Sequence, residues 1–150
     1  MRLSIIHCFL IAGLAGCHIR DNSSGSNKSG AEQEAILKDT ANYTTIRWLD
    51  STHRDFGRIP EGKLLDVTFR FRNTGNRPLV ITRVQPSCGC TIAEQPSAPI
   101  AAGNEGVIKA SFNSERHVGV NHKTLYVFAN TKGSTSSELQ FDVEVEKNKW

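Results

Sequence analysis

Two stretches of strict alternation constrain this chain more than anything else in it. From 65 to 72, Leu65, Val67, Phe69 and Phe71 alternate with Asp66, Thr68, Arg70 and Arg72. From 139 to 146, Leu139, Phe141, Val143 and Val145 alternate with Gln140, Asp142, Glu144 and Glu146. Successive side chains of an extended chain point to opposite faces, so each stretch is a strand with one face in a core and the other in water. Less regular candidates are 43–49, 56–59, 79–85, 107–112 and 123–129, which together give about seven strands. Turn-forming residues separate them: Asn73-Thr74-Gly75-Asn76 before Pro78, Ala102-Gly103-Asn104-Glu105-Gly106, and Asn130-Thr131-Lys132-Gly133. Residues 31–39 have helix-forming composition but fall short of the ~12 residues at which an isolated helix becomes marginal, so they read as linker with nascent helix.

Short strands at near-regular spacing with no helical segment between them predict an all-β fold, an Ig-like β-sandwich, rather than alternating strands and helices. The widely spaced cysteine pair that bridges the sheets of antibody domains is missing, so the likeness is one of architecture. One domain of ordinary size accounts for the 150 residues, and 18 Lys+Arg against 15 Asp+Glu gives a net charge of +3, which argues against binding nucleic acid.

The N-terminus sets the expected location. Met1 and Arg2 precede a mostly apolar run from Leu3 to Leu14, shorter than the ~20 residues needed to span a bilayer as a helix, and this reads as a signal peptide. It ends in Leu14-Ala15-Gly16-Cys17, which resembles the lipobox of bacterial lipoproteins. That resemblance implies cleavage before Cys17, whose thiol would carry a diacylglycerol, with palmitate as the expected acyl chain. The competing reading is an ordinary secretory signal cut near Gly16. The expected organisation is a signal peptide at 1–16, a lipidated cysteine and flexible linker at 17–40, and the sandwich at 41–150. The membrane is then one partner, through Cys17, and the location is the bacterial cell envelope. His18, where an Asp would retain the protein at the inner membrane, leans toward the outer membrane.

Several segments carry a resemblance to one family. Phe56-Gly57-Arg58-Ile59-Pro60-Glu61-Gly62, the stretch from Phe69 to Ile81 with Asn73-Thr74-Gly75-Asn76-Arg77-Pro78-Leu79, Ser87-Cys88-Gly89-Cys90-Thr91 and Phe112-Asn113-Ser114 resemble the domain of unknown function 1573 family. The resemblance covers about residues 43–145 and implies an Ig-like sandwich similar to the ASH, MSP and hydin domains. It implies no activity. Ala102 stands where the family usually has Pro, and Val143-Glu144-Val145 where it usually has a Gly.

Cys88-Gly89-Cys90 is the only motif with chemical promise. Three readings compete. The pair can close a disulfide, because Gly89 lets the backbone bend and bring together Cα atoms that a regular strand holds ~6.6 Å apart. Two adjacent thiolates also suit Cu(I), with further ligands from His117, His122 or a partner. The third reading is a pair of small packed thiols without a chemical role. Arg70 and Arg72 share a strand face and are candidate contacts for an anionic partner, or else a solvated face paired to Asp142, Glu144 and Glu146. Tyr126 and Phe128 lie on the polar parity of their strand and are candidate partner contacts, unless that face is covered. His117 and His122 flank Gly119 and read as surface loop residues. Recognisable catalytic signatures are absent from the sequence. The expected function is a non-enzymatic envelope module binding a protein or glycan through a sheet face or edge strand. The alternative is a redox-active or copper-binding protein that uses Cys88 and Cys90.

Overall fold

A computed structural model describes residues 29–147. They form one α-helix, α1 (Gly30–Lys38), a 3-10 turn (Thr40–Asn42) and eight strands: β1 (Ile46–Trp48), β2 (His53–Pro60), β3 (Leu64–Asn73), β4 (Ile81–Pro86), β5 (Thr91–Glu94), β6 (Glu105–Asn113), β7 (Gly119–Ala129) and β8 (Ser136–Glu146). One sheet has the order β1-β3-β6-β5 and the other β2-β8-β7-β4. Pairing is antiparallel except for β2, which runs parallel to β8. The fold is the all-β, Ig-like sandwich the alternation predicts.

The alternation explains how the two sheets meet. Val67, Phe69 and Phe71 of β3 and Ile108 and Phe112 of β6 are fully buried, as are Leu125 of β7 and Leu139 and Phe141 of β8. These inner faces form one continuous core. Trp48 and Phe56 close its flanks with edge-on contacts, Trp48 to Phe71 at 5.6 Å and Phe56 to Phe141 at 6.1 Å between ring centres. Gly106 lies opposite Phe71, and a Cβ there would come within 2.5 Å of the ring, so the β3–β6 register requires glycine at this point.

Two features depart from the sequence expectation. β5 makes eight strands where about seven were expected. It is only four residues long and inverts the usual pattern, with Thr91 buried and Ile92 69% exposed. Residues 31–38 of the stretch expected as linker with nascent helix form a settled helix, α1, with Asp39 as its C-cap. Ser29 Oγ caps the helix by accepting from Glu32 N–H, Glu34 pairs with Lys38, and the Tyr43 hydroxyl donates to Leu37 O at 2.5 Å. A nine-residue helix gains its stability from such contacts and from lying beside β4, which composition does not reveal. The expected signal peptide, Cys17 and the first part of the linker lie outside the described residues.

Candidate functional site

Beyond β4 the chain crosses from one sheet to the other, and the cysteine motif makes the crossing. Ser87 is tied to β7, its N–H donating to Thr124 O at 2.8 Å and its Oγ accepting from Thr124 N–H at 3.1 Å. Cys88 and Cys90 are joined by a disulfide with Cα atoms 5.4 Å apart, closer than in a regular strand. A turn produces that approach, its N–H of Thr91 directed at Cys88 O at 3.4 Å, while Asn113 N–H donates to Cys90 O at 3.0 Å and fixes the far side to β6. Both cysteines are half-buried, and Cys90 packs against the core. Cys88 Sγ lies 3.6 Å from the hydroxyl of buried Thr91.

Cys90 lines an open cavity of about 480 Å3 together with Leu64, Ile92, Ser111, Arg116 and His117. A second hollow of about 300 Å3 shares Ile92 and Ser111 and continues past Asp66, Thr68 and Lys109. The register explains the shape. β6 lies between β3 and β5, with Asn113 opposite Leu64 and Ser111 opposite both Asp66 and Ile92. The small side chain of Ser111 leaves a trough whose walls carry Leu64, 63% exposed, and Ile92, 69% exposed. The disulfide stands at one end.

The loop that closes this end is pinned at several points. Glu61 Oε1 accepts from Arg116 N–H, Asn113 Oδ1 from Glu115 N–H, and Ser114 O from His117 N–H. Arg116 has φ 61°, the one non-glycine residue with positive φ among the described residues, a conformation that L side chains adopt at a cost. Beneath the loop, the His117 ring lies 5.7 Å from that of Phe112, and Lys123 Nζ lies 5.1 Å from the same ring. Lys123 is on the inward parity of β7, where burial pulls its ammonium below the usual lysine range.

The other candidates are elsewhere. Arg70 makes a forked pair with Asp50 and Arg72 pairs with Glu105, so the expected pairing with Asp142, Glu144 and Glu146 is wrong. β3 and β8 are in different sheets, and the β8 acids answer to their own neighbours. Arg58 pairs with Glu144 and Glu146, while Asp142 accepts from His122 Nδ1 and His53 Nε2, each at 2.7 Å. These hydrogen bonds, His122 first, hold the Asp142 carboxyl below the usual carboxylate range. His122 therefore belongs to β7 rather than a loop, and on the outer sheet face. Tyr126 is exposed on that face, whereas Phe128 lies under the Arg83 guanidinium at 4.2 Å and beside α1.

Of the residues singled out in the sequence, the structure brings together Cys88, Cys90 and His117. It separates them from Arg70, Arg72, His122, Tyr126 and Phe128. Two sulfurs bonded to each other are not thiolate ligands for copper, and no cluster of three metal-binding side chains exists among the described residues. Leu64, Ile92 and Arg116 escaped the sequence reading, and Thr91 entered it only as part of the family motif. A weak signal was available for Leu64, an aliphatic residue on the solvent-facing parity of the alternation that follows it.

A family model for "Protein of unknown function (DUF1573)" matches residues 46–145, most of the described chain. No curated protein matches. A Porphyromonas gingivalis W83 protein of unknown function has 16% identity and a TM-score of 0.62, over 70% of this chain and 48% of its own. This chain thus spans about half the length of that protein. The ASH / PapD-like domain 7 of human CEP192 has 10% identity and a TM-score of 0.54, over 72% of this chain and 89% of its own. The YadV chaperone has 16% identity and a TM-score of 0.50, over 67% of this chain and 52% of its own. At these identities the likeness is one of fold.

Proposed function

The chain belongs to the DUF1573 family, and we propose that it is a non-enzymatic, lipid-anchored module of the bacterial cell envelope that binds a segment of another envelope protein. The observation that carries the reading is the trough along β6. Two exposed aliphatic walls, Leu64 and Ile92, flank a small polar floor, and the four-residue edge strand β5 runs beside it. An extended segment can lie in such a trough with apolar side chains between the walls and main-chain groups along the strand edge. A protein segment fits better than a glycan, because the linings contain no Trp, Tyr or Phe on which a sugar ring would stack. The PapD-like and chaperone folds of the neighbours support a binding module. The lipobox resemblance at Cys17 supports the anchor and the envelope location, and His18 supports the outer membrane.

A photo-crosslinking residue in place of Ile92, in the full chain expressed in a bacterial envelope, tests the docking. One discrete protein adduct is expected, lost when Leu64→Asp charges the opposite wall. A chain present at normal level with no adduct, or an adduct indifferent to Leu64→Asp, would sink the reading. Cys17→Ser tests the anchor separately and should move the chain from the membrane fraction to the soluble one.

A further inference from the structure

The disulfide at the end of the trough has features that a simple staple does not need. It closes a loop of only three residues, so it removes little freedom from the unfolded chain. Exposed Gly89 leaves one side of it open, and a Cβ built there meets nothing within 4 Å. Its two sulfurs are in different surroundings. Cys90 lines the open cavity, whereas Cys88 Sγ is turned to the hydroxyl of Thr91, which is 5% exposed. Arg116 and His117 share the cavity lining with Glu115.

We infer that Cys88–Cys90 is a thiol–disulfide exchange site for a partner carrying a pair of cysteine thiols. A thiolate of the partner, entering through the cavity, attacks Cys90 Sγ. The bond between the two sulfurs breaks, a mixed disulfide forms between the partner and Cys90, and the electron pair leaves on Cys88 Sγ. Thr91 Oγ–H donates to that thiolate, which then takes a proton from water. The partner's second thiolate attacks its own sulfur in the mixed disulfide, closing the partner's disulfide and releasing Cys90 as a thiolate. Two electrons pass from the partner dithiol to this chain, and a partner disulfide reverses the sequence. Leaving-group stabilisation is where Thr91 acts, because a departing thiolate leaves faster when its charge is accommodated.

Dithiothreitol tests the inference on the full chain without any docked partner, so the outcome is independent of the proposed binding function. Reduction is followed by alkylation and mass measurement, for the folded chain and for the chain unfolded in urea. The folded chain is expected to react at least as fast as the unfolded one. Thr91→Val should slow the folded reaction about tenfold, the worth of one hydrogen bond to a charged acceptor, and leave the unfolded rate unchanged. Thr91→Ser, which keeps the hydroxyl, should react like the parent. Slower reaction in the folded chain would mean a protected staple and overturn the inference, as would a Thr91→Val rate equal to that of the parent.

Discussion

Asn73 and Asn130 show how single side chains hold this sandwich at one pole. Both are buried. Asn73 Oδ1 accepts from the Thr44 hydroxyl and from Gly75 N–H, and its Nδ2 donates to the carbonyls of Arg77 and Ile100. Asn130 accepts from Val80 N–H and donates to the carbonyls of Asn42 and Pro78. Each replaces a stretch of absent strand pairing with one amide. Asn73→Ala is expected to cost about 2 kcal/mol in urea unfolding, because groups on three segments, the buried Thr44 hydroxyl among them, lose their partner. Asp142 supports a pH prediction. Its carboxyl is held below the usual range, so its contribution is complete above the unfolded pKa near ~4 and is lost as pH falls through the lower folded value. Asp142→Asn should therefore lower stability at neutral pH, by under about 1 kcal/mol for so exposed a cluster, and the difference from the parent should vanish on strong acidification. Urea unfolding at a series of pH values checks it.

At the scale of elements, the exposed edges carry the next consequence. β4 ends one sheet, yet its free edge is closed by one side chain: Gln95 Oε1 accepts from Val84 N–H and Gln95 Nε2 donates to Thr82 O. The amide occupies the groups that another strand would seek. Gln95→Ala is expected to cost about 1 kcal/mol and to raise self-association, read by sedimentation. β3 and β8 were legible in the sequence because their alternation reports burial directly. β5 was not, because its aliphatic residue faces solvent and its buried one is a threonine. α1 was legible only as nascent helix, because its composition is helix-forming but its length falls short of an isolated helix, and the contacts with β4 and Tyr43 that complete it are not written in the segment. The cysteine motif was legible as chemistry, but its surroundings depend on which strands flank β6, and register across sheets is not written in any one segment. The residues that carried the family resemblance prove mostly to be structural. Asn73 is one, and Ser114, which bridges Lys63 N–H to Pro60 O, is another.

For the molecule as a whole, stability comes from the shared core and very little from the disulfide. A three-residue loop contributes only ~1.6 kcal/mol by chain entropy, before any change in the native state. Replacing Cys88 and Cys90 together by Ser should lower the unfolding free energy by about that amount and leave a cooperative urea transition. A collapse of the fold would contradict this. The ends of the sandwich also differ. Thr44, Asn73 and Asn130 meet where α1 and β1 enter, and Cys90, Asn113 and Arg116 gather where β6 leaves. The nine residues of β6 separate the two ends by roughly 25 Å. If Cys17 carries the proposed acyl anchor, the dozen residues between it and Ser29 can span up to ~40 Å, more than the length of the sandwich, so the sulfurs are free to meet a molecule on the anchoring leaflet as well as one that faces it.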